Sequence, residues 1–235
     1  QYLDPHLANS VSAHNVIIAL IEGLVCEDPK TLKPIPGVAE SWDISEDGLL
    51  YTFHLRKNAK WSNGDPVTAH DFVYSYRRIL NPNLASQYAS MLHGLKNARK
   101  YHEEGLNWEE AKVGAVAIDN HTLQLTLENP TPYFLELLNH YSWFPAHPPT
   151  IKKFDAFEKQ GTPWTRPGNY VGNGPFILSE HKVNSVIEVK KNPNYWDAET
   201  VSLEAIRFYP IESADTEERA FRSGFLHLTQ TVSPD

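Results

Sequence analysis

"FHLRKNAKWSNGDPVTAHDFVYSYRR", residues 53–78, decides how the chain is read. An extended, alternating run enters a Trp-Ser-Asn-Gly-Asp-Pro knuckle and leaves as an aromatic-rich amphipathic helix. Upstream, Tyr51, Phe53 and Leu55 alternate with Thr52, His54 and Arg56, so one face of a strand is apolar and the other polar. Asn63-Gly64 supplies a positive-φ turn and Asp65-Pro66 ends the extended run. Thr68 is placed to cap a helix whose stripe is Phe72, Val73, Tyr76 and Leu80, with Pro82 after its end. The two apolar faces can bury each other, so the aromatics, Trp61 included, read as packing, and Asn63 and Gly64 as turn-formers.

Working outward, Glu46-Asp47-Gly48 is turn chemistry, which makes the strand half of a hairpin. Towards the N-terminus, Ile17, Leu20, Ile21 and Leu24 recur at helical spacing, and the pattern predicts a helix over residues 12–24 capped by Ser12. Residues 97–112 are charged and weakly periodic, a surface excursion. A second hairpin follows around Asp119-Asn120, with Leu123, Leu125 and Leu127 on one face, then a predicted helix over residues 131–140. "PAHPPT", residues 145–150, is a proline-rich joint and a candidate domain boundary. Beyond it come a third hairpin around Val183-Asn184, a strand over "EAIRFYPI", a helix from Ser213 to Arg222 ending at Gly224, and a strand-like "FLHLTQT". Helices and hairpins alternate without a regular βα beat, which makes the class α+β.

Composition bounds the function. The 235 residues carry a formal charge of −8, 41% hydrophobic residues and a single cysteine, Cys26. That excludes a disordered or collagen-like chain, an intrachain disulfide and the basic stripe that nucleic acid requires. The longest apolar run, Val16 to Ile21, is far too short to span a membrane. The first residues lack the basic start and apolar centre of a signal peptide, so the expectation is a cytosolic or a mature, trimmed chain.

Catalytic signatures are missing. No His-Glu-x-x-His occurs among the 11 histidines, and the nearest cluster, His140 and His147, straddles a joint, so the histidines read as scattered surface residues. There is no Gly-x-Ser-x-Gly elbow. Cys26 follows an apolar helix and reads as filler. "GNGPF", residues 172–176, lacks the Gly-Lys-Ser/Thr ending of a phosphate loop and reads as a turn. Asn120-His121-Thr122 matches a glycosylation acceptor but equally an ordinary turn. From the residues alone, the reading stops at an α+β protein without an evident catalyst.

"GVAESWDISEDGLLYTFHLRKNAKWSNGDPVTAHDFVYSYRR" also resembles the signature region of the extracellular solute-binding proteins of ABC importers, oligopeptide type. Ordered matches run the whole length: "LDPH", "EGL", "NPNLASQYASML", "LTLENPTPYFLELL", "NYVGNGPFIL", "KNPNYWD" and "YPIESADTEERAFRSG". The resemblance implies a periplasmic-binding-protein-like lobe with a mixed sheet, domain I, built from residues 1–21 and 148–235. An α+β domain II, residues 22–147, is inserted into it, and the family's C-terminal lobe is absent from the chain. It implies a non-enzymatic receptor of the periplasm or cell envelope that holds an oligopeptide in a cleft between lobes and delivers it to a membrane permease. No cofactor and no nucleic acid are implied. The family's strand-like peptide contact falls on Asn9, Ser10 and Val11, where oligopeptide-type relatives carry an acidic residue and a glycine in place of the first two. Tyr88, in "SQYAS", matches a tyrosine that faces the peptide. The uncovered face implies self-association, and these residues alone are expected to bind peptide feebly. The alternatives are the same fold with an oligosaccharide or metal-chelate cargo, and a secreted hydrolase, which the missing nucleophile weighs against.

Overall fold

The computed structural model describes residues 3–230. Its first helix, α1 (Val11–Leu20), starts earlier than expected: Ser10, extended at φ −130° and ψ 148°, accepts the Ala13 N–H at 3.2 Å. It also stops earlier. Ile21 is extended (φ −134°, ψ 140°), and the Leu20 carbonyl accepts the Gly174 N–H at 2.9 Å. The periodicity that ran on to Leu24 belongs to an extended segment buried on all sides, where periodicity cannot separate strand from helix.

Two short strands, β1 (Val25–Glu27) and β2 (Pro34–Pro36), then pair antiparallel. The hairpin β3 (Ala39–Ile44) and β4 (Leu50–Leu55) turns at Gly48, whose φ of +68° suits glycine. Tyr51, Phe53 and Leu55 are buried as their alternation requires. After the knuckle, where Gly64 takes φ +94°, comes α2 (Ala69–Ile79), opened by a reciprocal capping box between Thr68 and Asp71. The charged excursion contains two short helices, α3 (Ala98–His102) and α4 (Trp108–Ala111), before the hairpin β5 (Ala115–Asp119) and β6 (Thr122–Thr126). β6 docks on β4, so the two hairpins close into one antiparallel sheet of order β3-β4-β6-β5.

The predicted helix over residues 131–140 shrinks to one turn, α5 (Phe134–Leu137). Phe134 and Leu138 bury the intended stripe, but the His140 ring then accepts the Ser142 N–H at 3.2 Å and starts a separate 3₁₀ turn. The proline joint opens α6 (Pro148–Lys153), with proline in the first turn where its missing N–H costs nothing. The last sheet is β7 (Phe176–Lys182), β8 (Val186–Lys191) and β9 (Ala205–Phe208), followed by α7 (Ala214–Arg222). Its pairings are antiparallel, whereas the resemblance implied a mixed sheet. "FLHLTQT" forms no strand over its described residues, 225–230, and Phe225 and Leu228 lie exposed there. Hydrophobicity makes a strand only when another edge offers it hydrogen bonds.

Buried side chains gather into two cores. One takes in the four-stranded sheet, α2 and the excursion, from Leu24 to Trp143. The other combines Leu3–Ile21 with Tyr141–Val189. Where the chain passes between them near residue 22, it is stapled to distant sequence. The Glu22 N–H donates to the Asn173 side-chain oxygen at 3.1 Å, and Asn173 Nδ2 donates back to the Glu22 carbonyl at 3.0 Å. The Glu22 carboxylate accepts from the Tyr195 hydroxyl, from Trp196 Nε1 at 2.7 Å and from the Cys26 thiol at 3.5 Å. "GNGPF" thus serves close packing rather than phosphate: an added Cβ at Gly172 would sit 2.0 Å from the Leu20 carbonyl oxygen.

Candidate functional site

The segment that leads into α1 is held from below by a buried ion network. Arg78, on α2, is fully buried and donates Nη1 to Asp4 Oδ1 at 2.9 Å and Nη2 to Oδ2 at 2.6 Å. Its Nε and Nη2 also donate to the Ala156 carbonyl, at 3.1 and 3.0 Å, and Nη1 donates to His6 Nδ1 at 2.8 Å. With Nδ1 accepting, His6 Nε2 carries the proton and donates to the Phe144 carbonyl at 3.1 Å. Burial of Asp4 would raise its pKa, but the Arg78 guanidinium and His6 outweigh that and bring it below the usual carboxylate range. Burial, and then Arg78, depress His6 to about 4.

That shift makes a prediction. Unfolded His6 takes up a proton near pH 6.5, while the folded site resists until about 4. The unfolded state therefore binds more protons in this window, and stability falls as pH drops through it. Full protonation costs about 3 kcal/mol at 1.36 kcal/mol per unit. Urea melts at pH 7 and pH 4.5 should show a fall that His6→Gln reduces; an equal fall in both would remove His6 as its source.

Above this network, Asn9, Ser10 and Val11 are exposed, Val11 at 66%. Among the described residues, no backbone hydrogen bond engages the N–H or C=O of Asn9. Its side chain donates to Gln87 at 3.1 Å, which brings the segment beside Tyr88. Ser86, whose hydroxyl donates to the His6 carbonyl at 2.6 Å, accepts the Tyr88 N–H at 3.2 Å and fixes that loop.

Tyr88 is half-buried and stands edge-on to His140 at 4.9 Å and to Tyr141 at 5.9 Å. His140 stacks on Tyr141 at 4.2 Å, and His14 lies 5.5 Å from the same ring. The Tyr141 hydroxyl donates to the Ala8 carbonyl at 3.0 Å, one residue from Asn9. Burial holds His14 and His140 below the ordinary histidine range, so this wall is uncharged near neutrality. The structure thus brings Asn9, which Ser10 and Val11 follow in sequence, beside the loop that carries Tyr88. His14, His140 and Tyr141 were not singled out from sequence because positions 14, 88 and 140 have no common period.

The histidine reading changes elsewhere. His140 and His147 do not meet: His147 bonds Asp65 at 3.0 Å and Thr150 at 2.8 Å. His93, His102 and Glu103 do come together. Cys26 is half-buried rather than core filler, and burial, then Glu22, push its thiol up, away from nucleophilic reactivity.

Among the described residues, the exposed Asn9 main chain, which no backbone hydrogen bond engages, thus lies beside a neutral aromatic wall. The chain belongs to the bacterial extracellular solute-binding proteins, family 5, whose description matches residues 33–235. It is 42% identical over 240 residues to the periplasmic oligopeptide-binding protein OppA of Escherichia coli K12, covering 100% of this chain and 42% of that protein. OppA of Haemophilus influenzae in complex with RPPGFSPFR superposes with a TM-score of 0.88 at 39% identity, covering 95% of this chain and 42% of the other. The murein tripeptide-binding protein MppA of Escherichia coli also gives 0.88, at 36% identity and the same two coverages. The chain thus spans about two-fifths of the length of these relatives.

Proposed function

We propose that this chain contributes one side of the ligand cleft in the substrate-binding component of an oligopeptide ABC importer. Asn9, Ser10 and Val11 pair with the peptide main chain, and Tyr88 covers a peptide side chain. The observation that carries this is the unpaired Asn9 backbone next to Tyr88, on a scaffold shared with receptors named for peptides. Main-chain pairing gives affinity that is indifferent to peptide sequence, and the aromatic wall adds contact area. Residues 1–21 and 148–235 act as domain I and residues 22–147 as the inserted domain II. The two cores and the staple at Glu22 support this division. The receptor is non-enzymatic, works in the periplasm or cell envelope and hands its cargo to a membrane permease. No helix of the described residues is long and apolar enough to cross a membrane.

Calorimetry with tri- to pentapeptides tests the assignment. Tyr88→Ala is expected to weaken binding about tenfold, near 1.4 kcal/mol, and Tyr88→Phe to retain most of it. Unchanged affinity in Tyr88→Ala would place the peptide elsewhere. Peptide cleavage that survives repurification would refute the binding-only role.

A further inference from the structure

His93 closes the 3₁₀ turn Ala89–Leu92 that starts at Tyr88, while His102 is the last residue of α3 and Glu103 follows it. The turn and α3 are pinned from beneath: Leu92, Leu95 and Ala98 are fully buried, and Tyr101 nearly so. This brings His93 Nε2 to 2.8 Å from His102 Nδ1 and His93 Nδ1 to 3.7 Å from Glu103 Oε1. One ligand atom from each of the three residues fits within a 4.8 Å span. The His93 side chain is 8% exposed and that of Glu103 48%, so the site has a fixed inner ligand and an adjustable outer one. His93 also lines a cavity of about 420 Å³.

We propose that His93, His102 and Glu103 form a binding site for a divalent transition metal of borderline softness, with zinc as its probe. Two imidazoles and one carboxylate are the donor set such ions select over calcium or magnesium. Zinc–nitrogen bonds of about 2.0–2.1 Å in a tetrahedron place two ring nitrogens roughly 3.3 Å apart. The pair at 2.8 Å therefore needs to open by only a few tenths of an ångström. In the metal-free chain one ring N–H bridges the two nitrogens; the ion takes its place and that proton leaves to solvent. Glu103 swings in by giving up its 3.5 Å pair with Arg99, an exposed contact whose loss costs little. Arg99 is the opposing charge here, and its side chain is 65% exposed and free to turn away. The bound ion ties α3 to the turn that begins at Tyr88. The site stands independently of the peptide reading.

The test is calorimetric titration of the chelator-stripped 235-residue chain with zinc chloride at pH 7.4, beside His102→Gln, His93→Gln and Glu103→Gln. One equivalent should bind, with affinity falling at least about tenfold in either histidine variant and less in the glutamate variant. Ring nitrogen resonances of two of the 11 histidines should move with the first equivalent. Circular dichroism establishes that each variant is folded, and the half-exposed His102 carries the decision if His93→Gln unfolds. Undiminished binding in His102→Gln, or no binding by the unmutated chain, overturns the proposal.

Discussion

Replacing Arg78 with methionine is expected to destabilise the protein by about 3–5 kcal/mol, the range for removing one partner from a buried ion pair. The guanidinium is the hub of the network under the candidate site, donating to Asp4, His6 and the Ala156 carbonyl. Without it, the Asp4 carboxylate keeps, among the described residues, the backbone N–H of His6 at 3.0 Å and stays buried. Its pKa must then rise, because the burial that Arg78 outweighed becomes dominant. The sign follows: the wild-type contribution of Asp4 is present above pH 3.8 and is lost as acid protonates it, whereas in Arg78→Met the carboxyl is a cost at neutral pH that acid relieves. Adding Asp4→Asn to Arg78→Met should therefore recover part of the loss. Urea melts of the three proteins decide it; a single-variant loss below about 1 kcal/mol would show that the pair is solvated.

The second large effect is expected at Trp61, the centre of the knuckle. Trp61→Ala should cost about 3–5 kcal/mol, as truncations of large buried aromatics do. The ring is fully buried, 5.0 Å from the His147 ring, and its Nε1 donates to Asp71 Oδ2 at 3.0 Å. The same Asp71 oxygen accepts the Thr68 N–H at 2.9 Å at the start of α2, so Trp61 supports a helix cap as well as a core. Trp61→Phe keeps most of the volume and loses the hydrogen bond, and should cost about 1–3 kcal/mol. A loss below about 1 kcal/mol in Trp61→Ala would mean that the indole packs loosely and that the knuckle is open to a ligand after all.

Local chemistry was legible from the chain alone. Tyr51, Phe53 and Leu55 had to alternate into the core, Glu46-Asp47-Gly48 had to turn, Gly64 had to take positive φ, and Thr68 had to cap a helix. Each depends on neighbours within a few residues, and period and turn chemistry are local properties. The family likeness, carried by ordered motifs, marked Asn9–Val11 and Tyr88. Tertiary structure decided what depends on partners far along the chain. It ended α1 at Leu20, where Gly174 takes the carbonyl, and left "FLHLTQT" without a strand where no edge receives its described residues. It paired Asp4 with Arg78 across 74 positions, set His14 and His140 around Tyr141, and folded His93 against His102. Desolvation and charge pairing act through space, so a histidine's neighbours, and with them its protonation and ligating ability, have no signature in sequence spacing.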